Sequence, residues 1–400
     1  MKVGFILDGN FKNDQRVINE ARILEHAKYE VFVLNLPIKN DTNFLKFSPK
    51  ISLIKNRIPR RILNYLFALD NLLPLYDFFW YLAIIKFVKK YSLNVLHVHD
   101  LYLSRPAGWV VRKLNIPLVI DLHENYPAAI NGYRWATQFP ARWIVRPWRW
   151  RKKEKKYLSF ASAIIVLSSH YKKILCEKYP EINPDTIAIY PNVPDIKTLL
   201  SYPVDKNILP LTGKIIIFYF GIISRRRGIH TIINALQSML PEHPQLHLLL
   251  IGPVDKAEAK DFQKAFLRKE LQNNITHYSW RDISEFPSFA EYSHICISPI
   301  LKNNQHESGV ANKIFQYMLF GKPVVASDCT PQKEIIDRTG CGLIFKNGDP
   351  VDLASKLSIL IQDREKRLKM GELGKKAVLE EYNTEFQGYS LIKMYADLSK

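Results

Sequence analysis

The feature that most constrains this chain is the alternation of short apolar runs with helix-patterned segments along nearly its whole length. "KVGFIL" reads as a buried strand. "NDQRVINEARILEH" reads as a helix, with Asp14 at its N-cap and Val17, Ala21 and Leu24 at helical spacing. "YEVFVLNL", "NVLHVHD", "IPLVIDLHE" and "AIIVLSS" follow as strands, with "SRPAGWVVRKLN" as a helix among them. The second half repeats the style through "KIIIFYFG", "RRRGIHTIINALQSML", "LHLLLIG", "ITHYSW", "HICISPI", "KPVVASD" and "GLIFK". Alternation of this kind makes a parallel sheet with helices on both faces.

A chain of 400 residues exceeds what one core sustains. The expected fold class is α/β: two doubly wound Rossmann-like domains facing each other across a cleft. The expected boundaries are 1–200 and 201–382, with a C-terminal helix at 383–400 returning to the first domain and lying outside either alternating core. "YPNVPDIKTLLSYPVDKNILPLTG", rich in proline and turn residues, reads as the interdomain linker.

Composition narrows the class. The cysteines Cys176, Cys296, Cys329 and Cys341 are scattered, so neither a zinc ribbon nor a disulfide framework is marked, and a reducing cytoplasm is the expectation. The apolar start "MKVGFIL" is too short for the core of a secretory signal. The greasiest stretch, "NYLFALDNLLPLYDFFWYLAIIKFV", is interrupted by Asp70, Pro74 and Asp77, and a spanning helix needs about 20 nearly unbroken apolar residues. The net charge of +19 favours a polyanionic partner: nucleic acid, anionic lipid or a phosphorylated small molecule.

That charge is concentrated. "ARWIVRPWRWRKKEKK" carries eight Lys or Arg against one Glu, and four of the seven tryptophans lie between Trp135 and Trp150. Trp143, Arg146, Trp148, Arg149, Trp150 and Arg151 suit an anionic membrane surface. The competing reading is a solvated helix with Trp143 and Trp150 in the core. No nucleic-acid-binding signature accompanies the segment, so nucleic acid is not an expected partner.

Parallel sheets offer ligands the carboxyl ends of their strands. Two strands end in polar pairs, "HVHD" at His97, His99 and Asp100, and "DLHE" at Asp121, His123 and Glu124, converging on one edge. They read as a ligand-facing set, as strand-end groups satisfied by backbone, or as metal ligands. In the second half a strand ends at Gly221, then Arg225, Arg226, Arg227 and Gly228 lead into a helix, an arrangement suited to a phosphate. In "HESGVANKIFQYMLFGKPVVASD", the residues Val310, Ile314 and Met318 repeat at core spacing. Gly309, Asn312 and Lys313 are thus left at the helix start, where the dipole favours negative charge. Arg227 and Lys313 are placed to grip a diphosphate between them.

These pieces resemble, in order, the retaining GT-B glycosyltransferases of glycosyltransferase family 4. The matching stretches are "NDQRVINEARILEHAKYEVFVL", "HVHD" with "VIDLHENYP", "IAIYPNVPD", "FGIISRRRGIHTIINAL", "NKIFQYMLFGKPVVASD" and "GCGLIFKNGDPVDLASKL". Among that family the chain looks most like members that extend bacterial surface polysaccharides on a lipid carrier. The resemblance implies sugar transfer from a UDP- or GDP-sugar to a glycan or lipid-linked acceptor hydroxyl. It also implies retention, no metal and no cofactor, at the inner face of the cell membrane. It assigns catalytic roles to His123, Arg227 and Lys313. Donor contacts fall to Gly221, Arg226, Glu307, Ser308, Gly309, Asn312 and Gln316, and the acceptor side to Asp14, Arg16, His99, Asp100 and Glu124. Asp14 keeps its equal reading as a helix cap.

The chain departs from the family pattern at three places. Ile222 stands where the diphosphate motif usually has arginine. Gln316 replaces the glutamate that accepts from the donor ribose, a weakening on the order of 1–2 kcal/mol. Ser308 stands where the motif's first glutamate falls, with Glu307 one place away. These departures leave a non-catalytic partner subunit as a rival, beside a metal-dependent hydrolase and a nucleotide-sugar epimerase.

Overall fold

The computed structural model describes residues 1–36, 44–70, 72–139, 141–205, 207–209, 211–266 and 268–399, with backbone alone at 134 and 135. They form two compact units, Met1–Pro191 with Gln387–Lys400, and Asn192–Phe386.

The first unit carries a sheet of eight strands: β1 (Lys2–Ile6), β2 (Glu30–Asn35), β3 (Phe44–Lys46), β4 (Ile51–Lys55), β5 (Val95–His99), β6 (Leu118–Asp121), β7 (Ala163–Val166) and β8 (Ile187–Ile189). Their spatial order is β3-β4-β2-β1-β5-β6-β7-β8, and β3 alone runs antiparallel to its neighbour. The inner strands are unbroken apolar runs because helices cover both faces. Helices α1 (Gln15–His26), α2 (Arg60–Leu69), α3 (Leu75–Tyr91) and α4 (Ser104–Leu114) pack around it. Asp14 caps α1 by accepting from Val17 N at 3.2 Å.

The second unit carries β9 (Ile215–Phe220), β10 (Leu246–Ile251), β11 (Ile275–Tyr278), β12 (Ile295–Ser298), β13 (Val324–Ser327) and β14 (Gly342–Phe345), all parallel, in the order β11-β10-β9-β12-β13-β14. This is the doubly wound order, in which the chain reverses its direction of growth between β9 and β12. In the first unit the same reversal falls between β1 and β5.

Two sequence expectations need correction. The unit boundary falls inside the stretch read as the linker, but the helix Ile196–Ser201 within it and the buried Val193, Leu199 and Leu209 belong to the second unit. The first unit accordingly ends at Pro191 rather than at residue 200. The C-terminal helix Thr384–Asp397 returns to the first unit as expected, but as part of its core, where Leu391, Met394 and Tyr395 are buried. The greasy stretch is the helical pair α2–α3, and among the described residues no helix is long and apolar enough to cross a membrane.

Candidate functional site

In the second unit, functional side chains collect where the strand order reverses. After β9 the chain turns through Gly221, at φ 136°, where an added Cβ would lie 3.1 Å from Lys313 Nζ. A short 3-10 turn, Arg225–Arg227, then enters the helix Ile229–Met239 through Gly228. Gly228 is obligatory on two grounds: its φ is 74°, and a Cβ there would sit 1.8 Å from the Pro299 carbonyl oxygen.

The three arginines separate in role. Arg225 is exposed and bound to Asp261 at 2.7 Å. Arg226 donates to Gln305 Oε1 at 3.2 Å, and its carbonyl accepts from Leu301 N at 3.0 Å, fastening the turn to the loop after β12. Arg227 is half-buried and close enough to Lys313 and His306 to perturb both electrostatically.

Lys313 is buried on the helix Asn312–Leu319, with Nζ 3.6 Å from the centroid of the Tyr219 ring. Burial, then the nearby Arg227 charge, pushes its ammonium well below the ordinary lysine range. Among the described residues no carboxylate pairs with it. His306 is pushed down to about 4 by burial, which outweighs its bond to the Leu301 carbonyl, and then by Arg227, Arg226 and Lys313. A neutral histidine beside three cations marks a locally positive field. Its Nε2 is buried with no partner among the described residues.

The loop differs in detail from its sequence reading. His306–Ser308 is a 3-10 turn, Gly309 is extended, and the helix begins only at Asn312. No side chain caps that helix; Asn312 lies exposed at its start, and Gln316 is half-buried one turn on. Glu307 accepts from Thr330 N at 3.0 Å, at the start of the helix Thr330–Thr339. Ser308 is buried and donates to the Gln305 carbonyl at 2.6 Å. Ile222 is 43% exposed beside this cluster.

In the first unit, the polar ends of β5 and β6 meet as expected of neighbours. His123 Nε2 lies 2.7 Å from Asp121 Oδ2 and 3.2 Å from His99 Nδ1, and His123 Nδ1 lies 4.0 Å from Asp100 Oδ1. Burial opposes charge on His123, but Asp121, then Asp100, outweigh it and push the ring up to about 10. His99 moves the other way, held low mainly by burial and also by His123. The protonated ring is thus favoured, and in that form His123 donates to Asp121 rather than accepting a proton.

Arg16 faces inward. Rather than lining an acceptor surface, it is buried and grips Asp121 at two points, 2.9 and 2.7 Å, while reaching Glu20 at 3.1 Å and the Tyr190 carbonyl at 2.8 Å. This two-point pair holds Asp121 well below the carboxylate range although burial alone would raise it. Glu20, His97, His99 and Asp121 could by spacing hold a metal, with ligand atoms within 4.8 Å of one another. The Arg16 guanidinium already contacts both carboxylates, so the positive charge that such a cluster needs is supplied from within. Sequence reasoning missed Glu20, whose only signal was its i+4 spacing from Arg16, and Tyr395, whose hydroxyl meets His97 Nδ1 at 2.8 Å.

At the reversal between β1 and β5 lies a cavity of about 510 Å³, reached by Asp8, Asp100 and Glu124 from three strand ends and walled by Tyr102, Tyr126 and Tyr133. Asp100 holds φ 76° there, a strained value for a non-glycine residue. Glu124 accepts from the Tyr133 hydroxyl at 3.0 Å, and Asp8 is held by Arg60 at 2.6 Å and Tyr76 at 2.9 Å. Asp8 was not foreseen, though an acid directly after the first strand was visible.

The basic tryptophan segment divides. Trp143 is 65% exposed and Trp148 46%, their rings edge-to-face at 6.3 Å. Arg146 bonds the Trp143 carbonyl, and Arg149 and Arg151 are exposed. Trp150, expected in the same patch, is only 3% exposed and packs on Tyr126 and Tyr157. The side chain of Trp135 lies outside the described residues.

Comparison with known proteins covers most of this length. Residues 15–197 match the model described as Glycosyltransferase Family 4, and residues 203–377 that described as Glycosyl transferases group 1. Spore coat protein SA of Bacillus subtilis is 22% identical over 58% of this chain. The capsular polysaccharide biosynthesis glycosyltransferase CapM of Staphylococcus aureus is 23% identical over 60%. The matches span 64% and 63% of those two relatives, less than two thirds of their length. HepE of Anabaena, in complex with UDP and glucose, superposes with a TM-score of 0.73 over 99% of this chain and 100% of its own, at 15% identity.

Proposed function

Since the chain belongs to the glycosyltransferases that pair these two domains in the GT-B fold, we propose that it transfers a hexose from a UDP- or GDP-sugar to an acceptor hydroxyl. The acceptor in this reading is a lipid-linked glycan of bacterial surface polysaccharide synthesis, at the inner face of the membrane. Transfer occurs with retention of configuration and without metal. The observation that carries the donor half of this reading is the buried Lys313 ammonium, unpaired by any described carboxylate, with Arg226 and Arg227 beside it.

Lys313 and Arg227 neutralise the diphosphate as it leaves, with the start of the helix Asn312–Leu319 adding its dipole. Because these cations are fixed before the donor arrives, their field costs no reorganisation at the moment of reaction. Gln316 accepts from the ribose through its carbonyl. In the first unit the acid- and tyrosine-lined cavity holds the acceptor sugar, whose hydroxyls donate to Asp100 and Glu124. The His123 imidazolium donates to a sugar hydroxyl and is locked by Asp121, which Arg16 fixes in turn. UDP is favoured by the likeness to HepE, and surface polysaccharide by the likeness to CapM.

A non-catalytic partner subunit is the second reading, favoured by exposed Ile222, where the diphosphate motif usually has arginine. Incubation with a panel of UDP- and GDP-sugars and lipid-linked glycans, with products identified by mass spectrometry, separates the readings. Donor consumption that depends on acceptor is expected. Turnover of donor without acceptor, or no turnover with any pair, contradicts transfer.

A further inference from the structure

The α2–α3 pair buries its acids and leaves a row of apolar side chains outside. Asp70 and Asp77, the acids that interrupt its greasy sequence, are buried. Arg105 on α4 binds both, reaching Asp70 at 2.8 Å, and Lys153 adds a contact to Asp70 at 3.1 Å. Leu63, Tyr76, Trp80, Ile84 and Phe87 are buried too, while a second apolar row faces outward. On α2, Ile62, Tyr65 and Leu69 repeat at i, i+3 and i+7; on α3, Leu75, Phe78, Phe79 and Leu82 repeat at i, i+3, i+4 and i+7, all exposed. Leu72 and Leu73, between the helices, are exposed too. Phe78 alone leaves 52% of its surface open. An apolar face this continuous on a folded unit is a docking surface rather than scattered exposure.

Charge identifies the occupant. Beside this face, between α3 and the end of β4, lies an apolar groove of about 510 Å³ floored by Phe79 and Leu82 and rimmed by Lys55, Arg57, Lys86 and Lys90. Its lining holds four cations and no carboxylate, and none of the four forms an ion pair among the described residues. Apolar floor with cationic rim is complementary to an anionic amphiphile: the chain lies on Phe79 and Leu82 while the headgroup meets the ammonium groups. A soluble polyanion would need the cations but not the exposed Phe78.

We propose that the α2–α3 face and its cation-rimmed groove seat the first unit on a bilayer of anionic phospholipid, with α3 lying in the head-group layer. The basic segment after Trp143 belongs to the same unit, and the helix Ala141–Val145 packs beside α2, so its charges add to this seat without forming it. The inference does not depend on sugar transfer. Donor affinity in the variants below stays at the wild-type level whether or not docking fails.

The test is co-sedimentation of the full chain with vesicles of phosphatidylcholine alone and of phosphatidylcholine mixed with phosphatidylglycerol. The mixed vesicles are expected to bind it, and the neutral ones at least about tenfold more weakly. Lys86→Glu with Lys90→Glu, and separately Phe78→Ser with Phe79→Ser, each lower partitioning onto the mixed vesicles by about tenfold or more, with an unchanged melting temperature. Wild-type partitioning in both pairs overturns the proposal, as does equal binding to the two vesicle types. A dimer in sedimentation velocity that the phenylalanine pair dissolves, without vesicle binding, overturns it in favour of a second copy of the chain.

Discussion

Lys313 holds its ammonium 3.6 Å above the centre of the Tyr219 ring, buried, with no described carboxylate to pair it. A cation kept in this state costs stability until an anion arrives. Lys313→Met is expected to melt at or above the wild-type temperature without ligand. The sign of the pH effect follows. The folded-state value lies below the ordinary 10.5, so across that window the unfolded chain binds the extra proton and stability rises with pH. Thermal melts through the alkaline range should show this rise in the wild type and its absence in the variant.

His123 gives the opposite slope. Its folded value near 10 exceeds the ordinary 6.5, so its contribution is complete below 6.5 and is lost as pH climbs towards 10. Nitrogen NMR of the imidazole should find it charged at neutral pH. Asp121→Asn should bring its midpoint down by at least about one pH unit. A neutral ring in the wild type would remove the donor role proposed for it.

Gln316→Glu restores the charge usual in the family. If Gln316 faces the ribose, the variant should bind nucleoside diphosphate more tightly by about 1 kcal/mol, or roughly fivefold. An unchanged affinity in a titration would place the ribose elsewhere.

The divided tryptophan segment predicts divided stabilities. Trp150→Ala empties a site between Tyr126 and Tyr157 and should cost about 3–5 kcal/mol in urea unfolding. Trp143→Ala, at an exposed position, should stay within about 0.5 kcal/mol of wild type.

The elements legible in the sequence were those whose neighbours are local. Buried parallel strands are continuous apolar runs, so β1, β5 and β9 are plain in the letters, and Gly228 before a helix marks its own turn. β8, only three residues long, carries too few for a period, and β4, broken by Ser52, is not a continuous apolar run; neither was foreseen. The resemblance set Arg16 on the acceptor side with Asp14. Its real partner, Asp121, is 105 residues away, a pairing with no local signature. Trp150 and Trp148 share one sequence neighbourhood, and only the turn Pro147–Arg149 sends one inward and leaves the other out. In α2–α3 the letters show the acids only as interruptions of an apolar stretch. Their burial was not legible, because Arg105 and Lys153 come within reach of Asp70 only once the unit has folded.

Titration calorimetry of UDP and GDP against wild type, Arg227→Ala and Lys313→Met most directly tests the claim that the second unit's cations hold a departing diphosphate. Binding of at least one nucleotide is expected, with a loss of at least about tenfold in each variant, the scale of a charge-assisted contact. Wild-type affinity in both variants, or no affinity for either nucleotide in the wild type, would contradict it.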